Sequence, residues 1–158
     1  MKIEDRSVMS DKCAICNGKA DKEFNRIEVW SNDTWRLTMS TYRAVRGFCY
    51  LEPKRHIPYV TELNGAEAAE FGPIIARTTR AIKNATDAKL VYVYIYGDHI
   101  PHLHIHLAPH IDGDIYANDV IRNGVKFDQC IMGSEEVSAL LTKIEESLAN
   151  PTPRENPA

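Results

Sequence analysis

Residues 97 to 110, GDHIPHLHIHLAPH, hold five of the chain's six histidines, and three of them, His102, His104 and His106, fall on strictly alternate positions. Near pH 7 a neutral imidazole has a lone pair that can attack phosphorus, and a neighbouring imidazole can donate a hydrogen bond to a phosphate oxygen. Chelation of one ion by the whole row is disfavoured, because residues i and i+4 of a strand stand roughly 13 Å apart while metal bonds to nitrogen are about 2 Å long. One histidine on a half-buried strand would be ordinary. An alternating trio reads better as a nucleophile with helpers on either side. Cys13 and Cys16 form a second candidate, a C-x-x-C knuckle that supplies two thiolates and needs two further ligands for tetrahedral zinc. No second C-x-x-C exists, and the strand-to-helix setting of a redox dithiol is not visible around this one.

The elements that must position these residues can be read from pattern. RIEVW (26–30) and TWRLTMS (34–40) read as strands joined by a tight turn at SND (31–33), and GFCYLEP (47–53) as a third strand closed by Pro53. Phe71, Ile75, Thr78 and Ile82 recur at helical spacing between Gly65 and about Ala85, with Asn64 and Glu67 resembling a capping pair. Gly72-Pro73 leaves two readings of this helix: a kink there, or a true start at Pro73. KLVYVYIYG (89–97) and HLHIHLAP (102–109) read as two more strands. The alternation of strand side chains puts the three histidines on one face and Leu103, Ile105 and Leu107 on the other. Ser134 is placed to cap a last helix with Val137, Leu140, Leu141, Ile144 and Leu148 in one apolar stripe. Residues 1–150 are expected to form one domain, with a disordered tail at 151–158.

With 158 residues, 44% of them hydrophobic, the chain can bury one sizeable core. A formal charge of −3 gives no basic field for a nucleic-acid backbone, although a small anion needs only a local positive site. The charged N-terminal MKIEDRSVMSDK is unlike a signal peptide, and no apolar run spans a membrane. A cytoplasmic protein without nucleic-acid or membrane partners is expected. Cys49 and Cys130 read as core residues.

HLHIHLA resembles the signature of the histidine triad family, in which three histidines alternate with hydrophobic residues. RGFCYLEPKRH (46–56) is similar to the family's glycine-opened strand ending in a Pro-Lys-x-His turn, so the resemblance runs over roughly residues 13 to 110. It implies an α+β fold, with a mostly antiparallel sheet, a long helix and a C-terminal helix, usually assembled as a homodimer. It further implies cleavage or transfer at the α-phosphate of nucleotide conjugates through a nucleotidyl-histidine, with His104 as nucleophile and His106 binding the attacked phosphate. A zinc-bearing branch has a ligand set that maps here to Cys13, Cys16, His56 and His102. That zinc would be structural, since four protein ligands leave no open position.

The family's Gly-Gln-Ser or Gly-Gln-Thr is here Gly97-Asp98-His99, where Asp98 could orient a histidine and His99 could protonate a leaving group. The catalytic set is therefore His104, His106 and His99, and the substrate-binding set Ser40, Gly97, Asp98 and His102. Phe48 stands where members often carry histidine, and Pro109-His110 where they often have Pro-Arg, which removes a permanent positive charge. Two other classes stay open: a regulatory or storage protein binding metal through its histidines collectively, and a catalytically idle nucleotide-binding module.

Overall fold

The computed structural model describes residues 11–123 and 130–150, so the expected tail at 151–158 lies outside the described residues. A short helix α1 (Lys19–Glu23) leads into β1 (Arg26–Ser31) and β2 (Trp35–Ser40), then β3 (Cys49–Pro53) and the long helix α2 (Gly65–Thr86). β4 (Leu90–Tyr94), β5 (Ile105–His110), α3 (Ala117–Asn123) and α4 (Ser134–Ala149) follow. The fold is α+β. Its five strands form one antiparallel sheet in the order β1-β2-β3-β5-β4.

Strand alternation divides the sheet into two faces of different chemistry. Trp35, Leu37 and Met39 of β2, Cys49 and Leu51 of β3, and Leu103, Ile105 and Leu107 share one buried cluster. α2 and α4 cover that face with Ile74, Ala81, Ile82 and Ala85 and with Leu140, Ile144 and Leu148, which satisfies both apolar stripes. The opposite face carries Thr38 and Ser40, Phe48, Tyr50 and Glu52, and His106. The turn between β1 and β2 is fixed by Asn32, whose Oδ1 accepts from the backbone N–H groups of Thr34 and Trp35 at 2.9 and 2.7 Å. Gly47 has φ of 83°, and a Cβ there would lie 2.5 Å from the Thr86 methyl, so only glycine lets β3 start this close to the end of α2.

Several sequence expectations are corrected. α2 starts at Gly65 rather than at Pro73 and continues through Pro73 as one helix. Gly72, Pro73 and Ala69 all face solvent, where water can satisfy the Ala69 carbonyl that the proline leaves without an N–H partner. Neither expected helix cap forms: Asn64 and Ser134 make no side-chain capping bond, and Ser134 is itself the first residue of α4. Asn64 Oδ1 instead accepts from Arg55 Nη2 at 3.0 Å, and Glu67 takes the same guanidinium at 3.0 and 2.9 Å. The turn before His56 is thereby tied to the start of α2. Cys49 is core, but Cys130 is exposed, and Met132 fills the buried place beside it.

Candidate active site and metal centre

β5 begins only at Ile105, so the three alternate histidines do not share one regular strand face. The reason is a lack of neighbours: β3 pairs with β5 only as far as Leu51 opposite Ile105, and β4 only as far as Tyr94 opposite His106. Residues 102–104 turn to loop partners instead, with Leu103 N–H donating to the Ile57 carbonyl at 2.7 Å. That break sends His102 in a different direction from the other two.

His102 is buried against the cysteine knuckle. Its Nε2 lies 2.9 Å from the Pro53 carbonyl, an acceptor only, so Nε2 carries the proton and Nδ1 keeps its lone pair. Nδ1 stands 3.5 Å from Cys13 Sγ and 3.3 Å from Cys16 Sγ, and His56 Nδ1 stands 3.4 Å from Cys16 Sγ. One donor atom from each of Cys13, Cys16, His56 and His102 lies within 4.8 Å of every other. Four soft or borderline donors gathered in this way can hold a metal ion, with the Pro53 carbonyl orienting one imidazole from behind. Burial lowers the pKa of His102 to about 4, which keeps its lone pair available at neutral pH.

His104 and His106 open instead onto a cavity of about 420 Å³ on the polar side of the sheet. His104 Nδ1 donates to the His102 carbonyl at 2.6 Å; because a carbonyl cannot donate, the neutral ring must carry its lone pair on Nε2. One peptide unit thus links the two centres. His106 sits among aromatic rings, 5.8 Å from Phe48, 5.4 Å from Tyr50, 5.7 Å from Tyr96 and 5.1 Å from His104 between centroids. Burial, helped by the neighbouring His104, lowers its pKa to about 4. The ring is neutral at pH 7 with a single N–H, and a hydrogen bond to the Tyr94 backbone works against burial to raise its pKa.

The remaining sequence candidates divide in the same way. Ser40, Gly97, Asp98 and His99 line the cavity with His104 and His106; His102 does not. Gly97 has φ of 76°, and a Cβ would fall 3.5 Å from the Tyr59 ring, which sets the course of the loop carrying Asp98 and His99. Residues that sequence reasoning missed include Phe24, Arg26, Tyr50, Tyr96 and Arg122. Tyr50 was within reach of the alternation in FCYLEP. The others arrive from elements far apart in the chain.

Beneath the cavity, Arg26 Nη1 donates to Glu52 at 2.6 Å and Arg26 Nε to Asp21 at 3.0 Å, while Arg36 donates to the same two carboxylates at 2.9 Å each. Burial pushes the Asp21 carboxyl up, but hydrogen bonds from Arg36 and Arg26 outweigh it and hold the group below its ordinary value. The network ties α1, which follows the cysteine knuckle, to three strands.

The depressed pKa of His106 predicts a pH dependence of stability. The unfolded chain protonates this imidazole near 6.5 and the folded chain only near 4, so the unfolded state binds more protons between those values. Its contribution is complete above about pH 6.5 and is lost as pH falls towards about 4, a change of roughly 3 kcal/mol at about 1.4 kcal/mol per tenfold difference in proton affinity. Denaturant unfolding at pH 7 and pH 4 should show His106→Gln losing less stability than wild type by about that amount. Equal losses would show that His106 is not held neutral by the fold.

A scan against protein-family models finds no match, and no curated protein matches the sequence. Solved structures do match in fold. A histidine triad protein from Bradyrhizobium japonicum has a TM-score of 0.70 at 20% identity, covering 80% of this chain and 92% of its own. A zinc-bound histidine triad family protein from Mycobacterium smegmatis has a TM-score of 0.62 at 16% identity, covering 90% and 96%. A hypothetical histidine triad nucleotide-binding protein from Sulfolobus tokodaii has a TM-score of 0.63 at 24% identity, covering 87% and 91%.

Proposed function

From a chain with the histidine triad fold, we propose a nucleotide-conjugate hydrolase or nucleotidyl transferase that works at an α-phosphate through a nucleotidyl-histidine on His104. The observation that carries this reading is the 2.6 Å bond from His104 Nδ1–H to the His102 carbonyl. It fixes the ring's orientation and leaves Nε2 basic in a ring that lines the cavity. The Nε2 lone pair forms a bond to phosphorus while the bond from phosphorus to the leaving group breaks, and the leaving group departs with that electron pair and takes a proton from His99. Water or another acceptor then attacks the same phosphorus, giving up its proton to His99, and the P–N bond returns its electrons to His104. The His106 N–H donates to a phosphate oxygen as charge builds there. Ser40, Gly97 and Asp98 shape the substrate's path. The aromatic wall of Phe24, Phe48, Tyr50 and Tyr96 suits a flat, partly apolar group such as a nucleobase.

Cys13, Cys16, His56 and His102 would hold a structural zinc in this reading. Bonds of about 2.3 Å to sulfur and about 2.0 Å to nitrogen at tetrahedral angles separate the donors by roughly 3.5 Å; three sulfur–nitrogen distances here are 3.3 to 3.5 Å, and every pair of donors lies within 4.8 Å. The residues present fit that ion. Its contribution is to hold the knuckle in place, and no reaction step passes through it.

The homodimer belongs to the same proposal. β4 is an edge strand; its Val93, and Ile95 just beyond its end, are 42% and 39% exposed, a row that a second copy could cover. Sedimentation at micromolar concentration should give twice the chain mass of 17.9 kDa, and a clean monomer would remove the dimer from the reading. The function itself is tested by a panel of nucleotide phosphoramidates, dinucleoside polyphosphates and nucleotide sugars, with release of nucleoside monophosphate read by mass spectrometry. Release from at least one class is expected. Release from none would favour the idle binding module.

A further inference from the structure

Two arginines line the cavity among the described residues, Arg26 and Arg122. They differ in what already holds them. The Arg26 side chain is 2% exposed and is bound by Asp21 and by the fully buried Glu52, so its charge is neutralised within the protein. Arg122 rides on α3, a helix fastened at its start by a 2.7 Å bond between Tyr96 Oη and Asn118 Oδ1 and by burial of Ala117 against Val45, Phe48 and Ala108. Its guanidinium stacks 4.6 Å above the Tyr96 ring and meets Asp98 at 3.5 Å, with both side chains about half exposed. An ion pair this open is weak and exchangeable, whereas stacking on an aromatic face keeps the fork planar and aimed.

The position matters as much as the charge. Asp98 immediately precedes His99, the residue placed above to protonate the leaving group. The attacked phosphate belongs at His104 and His106, against β3 and β4, whereas Arg122 approaches from the 97–99 loop. His110 does not supply this charge, since it is absent from the cavity wall and stacks 4.2 Å from Tyr116 at the far end of β5. We infer that Arg122 is a specificity-determining residue that leaves Asp98 to bind negative charge on the leaving group. It favours conjugates whose leaving group is itself a phosphate, such as dinucleoside polyphosphates, over those that release a neutral amine. This rests on the nucleotide-conjugate reading given above.

The test compares kcat/KM for diadenosine triphosphate, whose leaving group is a nucleoside diphosphate, with kcat/KM for adenosine 5′-phosphoramidate, which releases ammonia. The ratio of the two should fall by about ten- to a hundredfold in Arg122→Ala, as expected for a lost hydrogen bond to a charged group. It should fall further in Arg122→Glu and recover in part in Arg122→Lys, which keeps the charge without the fork. A ratio that stays constant in all three variants while wild type turns over both substrates overturns the inference and leaves the general reading standing. Equal losses on both substrates do the same, because they mark a structural role. If wild type cleaves neither substrate and the wider panel also gives no product, the nucleotide-conjugate reading falls and this inference falls with it.

Discussion

His104→Ala should lose turnover by about 10⁴-fold or more, the scale seen when a covalent nucleophile is removed, while fold, metal content and much of the substrate affinity survive. The reason lies in how the histidines are separated. His104 lines the cavity just before β5, hydrogen-bonded through Nδ1 to the His102 carbonyl and 5.1 Å from the His106 ring, so alanine removes the attacking lone pair without touching the cysteine knuckle. His106→Ala should slow the reaction by about 100- to 1000-fold, the effect of losing one donor to a developing charge. His102→Ala should differ in kind and lose metal and stability together with activity, because both of its ring nitrogens are engaged at the cysteine knuckle and Pro53. Intact-mass spectrometry after brief exposure to substrate, kept away from acid that would cleave a P–N bond, should reveal a nucleoside-monophosphate adduct mapping to His104. If the three variants lose metal equally and turnover survives in His104→Ala, the collective metal-binding reading takes the place of the nucleophile.

The second large effect concerns Cys16→Ser. Elemental analysis of wild type should give one zinc per chain, and the variant should lose most of it along with a large share of its thermal stability. Structural zinc contributes binding energy directly to folding, and a loss of only about 4 kcal/mol would lower Tm by roughly 8–16 °C for a chain of this size. Substrate affinity should also weaken. Ile15 within the knuckle, and Ala20, Glu23 and Phe24 shortly after it, line the cavity, and Asp21 anchors the same segment through Arg26 and Arg36. A chelator should reproduce the variant's melting curve in wild type. Wild type with no zinc at any stoichiometry would remove the metal from the proposal, and unchanged stability in a zinc-free variant would make it incidental.

Much of the framework could be read from local pattern, because local pattern obeys short-range rules. The alternation of Leu103, Ile105 and Leu107 marks a buried strand face, and the helical spacing of Phe71, Ile75, Thr78 and Ile82, and of Leu140, Ile144 and Leu148, marks two core-facing helices, although Ile74 is buried in the core while Phe71 and Ile75 are only partly buried. The C-x-x-C supplied two thiolates, and the set of four that the family resemblance implied, Cys13, Cys16, His56 and His102, does come together. The sequence was misleading where an outcome depends on neighbours. HLHIHLAP has strand periodicity throughout, but a strand exists only where partner strands reach, and β3 and β4 stop short of His102. Asn64 and Glu67 fit a capping pattern, but Arg55 from the preceding turn binds both side chains. Cys130 has the composition of a core residue, but Met132 holds the buried place. The cavity itself was invisible for the same reason: Phe24, Arg26, Tyr50, Tyr96 and Arg122 come from separate elements whose meeting depends on sheet order and on the docking of α1 and α3. Residue type and spacing select the chemistry that a chain can perform, while long-range packing decides which imidazole faces the cysteine knuckle and which faces the cavity.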